Sequence, residues 1–139
     1  MPDLSDGGMY MRFGVFTAAA VGLAVLATPA LADGDAKKGA KVFRKCKACH
    51  VADEEKNKVG PHLVGIIDRP VATVDGFKYS AAMVEFGADG KVWDIETLTV
   101  YLKKPKDLVK KTSMAFAGIK KDSDMENLIA YLQDPSAAK

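Results

Sequence analysis

The spacing of apolar residues predicts a mainly helical protein. Apolar positions recur at helical intervals in several short segments, and no segment alternates with the period of two that a half-buried strand shows. Asp35 can cap a first helix that runs to Lys45 and ends in a basic turn. Ser80 can cap a short helix over 81–86, which Gly87 ends.

A third helix is predicted where Asp94 precedes apolar residues at helical spacing. It runs to Lys104, because Pro105 disfavours helical geometry in the residue before it. Residues 51–79 and 105–120 lack periodicity and contain several helix-breaking residues, so both predict long loops. Loops of this length are unusual in so small a chain, and a large apolar cofactor would give them an interior to pack against.

The last predicted helix starts at a capping box formed by Ser123 and Glu126 and runs to Gln133. Its apolar residues fall on one face, and Pro135 begins a frayed tail. Together these elements predict an all-α fold with about four to five helices and long loops.

The amino-terminal segment has the pattern of a secretory signal peptide. Arg12 supplies the positive charge, residues 13–27 form the apolar stretch, and a small-x-small cleavage site ends at Ala32. Residues 1–32 are therefore predicted to be removed, which leaves one domain over 33–139.

The first residues of the chain do not fit this leader, because Asp3 and Asp6 precede Arg12 and the start of a signal peptide is not acidic. We expect translation to begin at Met9 or Met11. The alternative to cleavage is a retained anchor, for which the apolar stretch is short, since a span needs about 18 residues. Export would deliver the domain to an oxidising compartment, most simply a bacterial periplasm.

Composition narrows the class of protein. The chain has 139 residues, of which 48% are hydrophobic and 27% charged, and these values exclude a wholly disordered chain. The net charge of +2 is too balanced to indicate nucleic-acid binding. Two cysteines are too few for a disulfide-rich scaffold.

The chemistry of the chain is concentrated in residues 46–50, which read Cys-Lys-Ala-Cys-His. C-x-x-C-H is the attachment signature of c-type haem. The two thiols add to the porphyrin vinyl groups, and His50 is placed under the iron as an axial ligand. Three other interpretations are a thioredoxin-like motif, a zinc site with His62, and a disulfide between Cys46 and Cys49. The first lacks its βαβ context, the second lacks ligands, and the third leaves His50 without a role.

The second axial ligand decides between an electron carrier and an enzyme, because an open position on iron binds small ligands. Met83 and Met125 lie in predicted helices, where packing is the ordinary role of methionine. His62 lies too close to His50 in sequence to reach the other side of the macrocycle. Met114 lies in the second long loop, with ample chain to wrap a haem. Taken alone, ligand and gap filler remain equally open for Met114.

Residues 34–134 closely resemble class I cytochromes c of the bacterial cytochrome c2 type, which are similar to mitochondrial cytochrome c. Residues 59–61, Val-Gly-Pro, resemble the family segment whose proline carbonyl accepts a hydrogen bond from the ligand histidine. Residues 111–121 resemble the methionine ligand loop almost throughout. The residues that match the crossing of the family's first and last helices are Gly39, Phe43 and Tyr131.

The resemblance implies one covalently bound haem c, attached at Cys46 and Cys49, with His50 and Met114 as axial ligands. Met83 departs from the family, because many relatives have an asparagine there. His62 also replaces an asparagine, and we expect it to face solvent. Further haem-contacting residues implied by the resemblance are Pro61, Arg69, Tyr79, Trp93, Tyr101, Thr112 and Phe116, of which Arg69, Tyr79 and Trp93 would reach a buried propionate.

The resemblance also implies a function. We expect a soluble, monomeric periplasmic one-electron carrier, not an enzyme, that neither binds nucleic acid nor inserts stably into a membrane. Its electrons would pass from a cytochrome bc1-type complex to a terminal oxidase or a photosynthetic reaction centre. The lysines expected to surround the haem edge and steer it to acidic partners are Lys41, Lys45, Lys47, Lys106, Lys110, Lys111, Lys120 and Lys121.

Two other functions stay open at this point. The first is a haem enzyme or ligand sensor in which Met114 leaves the iron readily. The second is a membrane-tethered cytochrome c that keeps its amino-terminal segment.

Overall fold

The computed structural model describes residues 34–139, so the predicted signal peptide over 1–32 lies outside the described residues. Within residues 34–139 the only strand-like pairing is an isolated antiparallel bridge between Pro70 and Val92. The predicted all-α class is confirmed. The helices are α1 (Ala36–Phe43), α2 (Ala81–Gly87), α3 (Ile95–Lys103), α4 (Pro105–Leu108) and α5 (Asp122–Gln133), followed by a 3-10 helix over Pro135–Ala138.

Helix α1 begins where the sequence predicts, because the Asp35 carboxylate accepts hydrogen bonds from the backbone N–H groups of Lys37 and Lys38 at 2.8 and 3.1 Å. The helix ends at Phe43, two residues before the predicted end. Helical turns continue beyond it, with the Cys46 N–H donating to the Phe43 carbonyl at 2.8 Å. The C-x-x-C-H motif is therefore a direct extension of α1.

The crossing of α1 and α5 brings the two ends of the domain together. A Cβ at Gly39 would overlap the backbone carbonyl of Asn127 and the side chain of Tyr131, so only glycine allows this approach. The rings of Phe43 and Tyr131 pack 5.1 Å apart beside the crossing. The packing that the resemblance implied for Gly39, Phe43 and Tyr131 is confirmed.

Helix α3 is capped as predicted, with the Asp94 carboxylate accepting from the Thr97 N–H at 2.7 Å. The loop predicted over 105–120 is wrong in its first residues, because they form α4. Pro105 ends α3 and also starts α4, since its fixed φ suits the first turn of a helix and its missing N–H has no partner to lose there.

The capping box predicted for α5 is also wrong. The helix begins at Asp122 and its cap residue, Lys121, makes no side-chain capping bond, so Ser123 lies inside the first turn. Acidic side chains in that turn stabilise the start of the helix instead, because their negative charge interacts favourably with the positive end of the helix dipole. The tail predicted to fray from Pro135 is a 3-10 helix capped by Asp134, and it packs against α1.

Candidate functional site

A cavity of about 290 Å³ lies between the helices and the two long loops, and every predicted site residue lines it. Its apolar walls come from loop residues such as Leu63 and Ile66 and from helix residues such as Leu98 and Leu128. Its exposed lining residues, which mark the mouth, are Lys45, Val59, Ser113 and Ala115. The predicted residues that line it are Cys46, Cys49, His50, Pro61, Arg69, Tyr79, Trp93, Tyr101, Thr112, Met114 and Phe116.

On one wall, the His50 ring is fixed by a single strong hydrogen bond. Its Nδ1 lies 2.7 Å from the Pro61 carbonyl oxygen. A carbonyl only accepts, so Nδ1 carries the proton and Nε2 keeps a free lone pair. Burial lowers the pKa of His50, and the bond to Pro61 opposes this in part. The ring is therefore neutral at pH 7 and able to bind a metal through Nε2.

Gly60 makes this ring position possible. A Cβ on Gly60 would overlap the His50 imidazole at three ring atoms. The Gly60 N–H also donates to the Cys49 carbonyl at 2.8 Å, which holds the loop against the C-x-x-C-H turn. Glycine is required at position 60 because the His50 ring lies too close to its Cα for any side chain.

The two cysteines lie one helical turn apart at the cavity wall. The Cys49 N–H donates to the Cys46 carbonyl at 3.0 Å, and the His50 N–H donates to the same carbonyl at 2.9 Å. Both thiols are free and half-buried. Burial raises the pKa of the Cys46 thiol to about 11, so this thiol is protonated at neutral pH.

Met114 reaches the cavity from the loop that follows α4, and two polar side chains hold it there. The Tyr101 hydroxyl lies 3.0 Å from Thr112 Oγ1 and 4.0 Å from the Met114 sulfur. Thr112 Oγ1 also accepts from the Met114 N–H at 3.3 Å. Tyr101 is buried in α3, so a rigid helix fixes the position of this loop.

Arg69, Tyr79 and Trp93 bring polar groups to the cavity wall. The Arg69 guanidinium donates to the carbonyls of Val64 and His62 at 3.0 and 3.1 Å, while its buried Nε has no partner. The Tyr79 hydroxyl accepts from the Val74 N–H at 3.1 Å, which leaves its own proton free to donate. This corner offers unused donors to an acidic group.

The remaining candidate ligands take different places. Met125 is 4% exposed and packs in the core, as its helical position predicts. Met83 lines the cavity beside the predicted site residues. The solvent-facing position expected for His62 is wrong, because the residue is half-buried and its Nδ1 is buried without a partner. The backbone of His62 is held by two hydrogen bonds, since its carbonyl accepts from the Arg69 guanidinium at 3.1 Å and its N–H donates to Asn57 Oδ1 at 3.0 Å.

Two side chains that support the site were not predicted. Asn57 Nδ2 donates to the Asp75 carbonyl at 3.1 Å, so this residue joins two parts of the long first loop. Lys58 Nζ donates to the Lys47 carbonyl inside the C-x-x-C-H motif. Both residues lie in a segment without periodicity, where no local pattern distinguishes a bridging side chain from a solvated one.

The zinc interpretation of Cys46 and Cys49 finds no support in residues 34–139. No group of three or more His, Cys, Asp or Glu side chains lies together there to hold a metal ion. No helix among the described residues is long and apolar enough to cross a membrane.

Known proteins with similar sequences indicate the same kind of site as the cavity residues do. The family model described as cytochrome c matches residues 36–135. The chain belongs to the cytochrome c family. It is 50% identical over 105 residues to the cytochrome c-type cyt cy of Rhodobacter capsulatus, which covers 75% of this chain and 51% of that protein. The chain therefore spans about half the length of this relative.

Other cytochrome c relatives match over almost their whole length. The cytochrome c of Stellaria longipes is 46% identical over 104 residues, covering 73% of this chain and 94% of that protein. The cytochrome c2 of Agrobacterium tumefaciens is 43% identical over 108 residues, covering 77% and 97%. These relatives are consistent with the class I, bacterial c2-type resemblance. The chain is a monohaem electron carrier of this family, with haem c as its covalent cofactor, and not an enzyme.

The residues of the cavity fit a haem c. Two free thiols, an imidazole with a free lone pair and a thioether sulfur all line one apolar space. The buried Nε of Arg69 lacks a partner, and an acidic substituent of the porphyrin would supply one. The donor set and the unsatisfied donor therefore match the cofactor of the family.

Proposed function

We propose that this cytochrome c is a periplasmic one-electron carrier between a cytochrome bc1-type donor and a terminal oxidase or a photosynthetic reaction centre. The observation that carries the proposal is the single cavity lined by Cys46, Cys49, His50 and Met114. The predicted signal peptide over 1–32 supports export to the periplasm.

In this proposal, Cys46 and Cys49 would hold the haem through thioether bonds, and His50 Nε2 and the Met114 sulfur would bind its iron. When bound, the haem supplies an iron that alternates between ferrous and ferric states, one electron at a time. With both protein groups on the iron, no position would remain for a substrate, so the function that fits is outer-sphere electron transfer.

The surrounding side chains set the conditions for this transfer. Pro61 fixes the tautomer of His50 and increases its basicity as a ligand. Tyr101 and Thr112 position Met114, and Phe116 covers the same side of the cavity. Arg69, Tyr79 and Trp93 are the groups that would receive a propionate.

Changing Met114 to alanine tests the second ligand. We expect Met114→Ala to let ferrous protein bind carbon monoxide rapidly at neutral pH, because the position on iron opens. We also expect a lower reduction potential, since a soft thioether favours ferrous iron. The measurements are the absorption spectrum with and without carbon monoxide and a redox titration.

Met83→Leu is the matched control, because it removes the other thioether that lines the cavity and keeps its apolar character. An unchanged spectrum and potential in Met114→Ala would reassign the ligand. Rapid carbon monoxide binding by the unaltered protein would favour the ligand sensor or enzyme instead.

Partner recognition is proposed to use the lysine face, which we define as Lys41, Lys45, Lys47, Lys106, Lys110, Lys111, Lys120 and Lys121. All eight are exposed, and none forms an ion pair with a carboxylate in the described part of the chain. Lys45 also lines the mouth of the cavity. The unpaired cations of the lysine face, of which Lys45 lies at the mouth, would attract a partner with an acidic docking surface.

A further inference from the structure

The loop that carries Met114 begins with a strained turn. The Thr112 N–H donates to the Val109 carbonyl at 3.0 Å and closes a four-residue turn. The third residue of this turn, Lys111, has φ +66°. Glycine or asparagine is usual at that position when φ is positive, because a Cβ crowds the backbone in the left-handed region. Lysine has no feature that favours this conformation.

Both ends of the turn are fixed by other parts of the molecule. Val109 is 3% exposed in the core. At the other end, Thr112 Oγ1 bonds the Tyr101 hydroxyl at 3.0 Å and the Met114 N–H at 3.3 Å. The turn therefore cannot relax at Lys111 without withdrawing Val109 from the core or Thr112 from Tyr101.

The side chain of Lys111 takes no part in holding this conformation. Lys111 is exposed, and no hydrogen bond or ion pair of its side chain occurs within residues 34–139. The strain at Lys111 therefore comes from the fixed positions of Val109 and Thr112. It lies where the chain enters the methionine segment, which we define as Thr112 to Phe116.

We propose that Lys111 is a positioning residue for Met114. Its left-handed backbone sets the direction in which the chain enters the cavity, and its strain sets how often the methionine segment leaves. The inference rests on the proposed role of Met114 as an axial ligand. Release of the segment requires the turn to open and Thr112 to leave Tyr101, and the relief of strain at Lys111 favours that opening.

Two other non-glycine residues with positive φ in the described part of the chain provide an internal comparison. Asp68 and Ala72 have φ of +60° and +61°, and both lie in the first long loop. The Asp68 N–H donates to the Trp93 carbonyl, next to the antiparallel bridge between Pro70 and Val92, and this contact does not involve the Met114 segment. Among the non-glycine residues with positive φ in residues 34–139, only Lys111 adjoins the segment that presents Met114.

The test compares three variants of the holoprotein. Lys111→Gly removes the strain, Lys111→Val increases it because β-branched residues are poorly tolerated at positive φ, and Lys110→Val removes a neighbouring charge alone. The readouts are the rate of carbon monoxide uptake by ferrous protein and hydrogen exchange at the Met114 amide. We expect both rates to fall about tenfold in Lys111→Gly and to rise about tenfold in Lys111→Val. In both readouts, neither of which involves a docking partner, Lys110→Val should stay within about twofold of the unaltered protein, because it leaves the positive φ of Lys111 untouched.

Equal effects of Lys111→Val and Lys110→Val, or shifts of Lys111→Gly and Lys111→Val in the same direction, would overturn the inference. Such results would show that charge, not backbone conformation, acts at this position. Failure of the ligand assignment is distinguishable, because Met114→Ala would then leave carbon monoxide uptake unchanged. Amide exchange at Met114 still decides the positioning role in that case, since it does not depend on the iron.

Discussion

The residue contact that defines the site is the bond between His50 Nδ1 and the Pro61 carbonyl. It selects the tautomer that leaves Nε2 free, and burial keeps the ring neutral by lowering the pKa of His50. Gly60 allows the contact by standing directly against the ring. The absence of a Cβ at Gly60 therefore leaves room for the His50 ring in the orientation that bonds Pro61.

Gly60→Ala should displace the His50 ring, because the new Cβ overlaps it. We expect the free energy of unfolding to fall by about 1–3 kcal/mol, the usual cost of overpacking. The His50 Nδ1 proton should exchange with solvent faster as its bond to Pro61 lengthens. Denaturant unfolding and proton NMR of the ferrous protein measure these changes.

Val59→Ala is the control for Gly60→Ala, because Val59 is the preceding residue and is 78% exposed. It should leave the free energy of unfolding within about 0.5 kcal/mol of the original value. A Gly60→Ala protein as stable as this control, with unchanged Nδ1 exchange, would contradict the close contact.

At the residue scale, the sequence could predict those site residues that form a motif with fixed spacing. Cys46, Cys49 and His50 form a motif whose geometry is local, so their shared cavity wall was predictable. The half-buried position of His62 and the positive φ of Lys111 were not, because each depends on contacts that have no fixed spacing in sequence. Arg69 binds the His62 carbonyl, and the buried Val109 together with Tyr101 fixes the two ends of the turn at Lys111.

At the element scale, the contact between α1 and α5 holds the domain together. Helix α1 has eight residues, which is too few for an isolated helix to be stable in water. Its formation therefore depends on packing against α5, at a crossing that Gly39 permits.

Gly39→Ala tests this dependence. In an exposed helix the change would stabilise by about 1 kcal/mol, because glycine is a poor helix former. Here the added Cβ meets Asn127 and Tyr131, so we expect a net loss of about 1–3 kcal/mol in the free energy of unfolding. Urea denaturation of the holoprotein gives the value.

Lys41→Ala is the matched change, since Lys41 is an exposed residue of the same helix. It alters helix propensity little and adds no atom at the crossing, so its stability should not change. A stabilised Gly39→Ala protein would mean that the two helices can separate at no cost.

The helices were predictable where a short-range signal decides their ends. Asp35, Ser80 and Asp94 each cap the helix they were predicted to cap. The start of α5 was not predictable from its capping box, because Asp122 already supplies favourable charge one residue earlier. The tail helix has a local cap in Asp134, but its packing against α1 is a long-range contact that no local window contains.

At the scale of the whole molecule, the eight exposed lysines of the lysine face form no ion pair with a carboxylate, whereas four other lysines within residues 34–139 do. Lys103 pairs with Asp122 at 3.1 Å and Lys104 with Asp107 at 3.0 Å. Exposed pairs of this kind cancel charge but add little stability. The lysine face is not neutralised in this way, and the proposed docking to an acidic partner depends on that charge.

The association rate with an electron-transfer partner should therefore fall as salt rises. At low ionic strength, the double variant Lys45→Gln, Lys120→Gln should associate about three- to tenfold more slowly, and its rate should depend less on salt. Stopped-flow oxidation at several ionic strengths measures both effects.

Lys91→Gln is the comparison for charge alone, because Lys91 already pairs with Asp89 at 3.6 Å and lies outside the lysine face. Its rate should match the original. A flat dependence on ionic strength in the unaltered protein would remove electrostatic steering from the function.

The junction of α1 with α5 has a consequence for the order of events during synthesis. The Asp35 N–H bonds Asn127 Oδ1 across 92 residues of sequence. A chain that emerges amino end first cannot make this closure until almost all of it has appeared. Until then the short α1 has no partner, and the thiols that follow it stay accessible. The nascent polypeptide thus keeps Cys46 and Cys49 accessible for modification, and this access ends when α5 packs against α1.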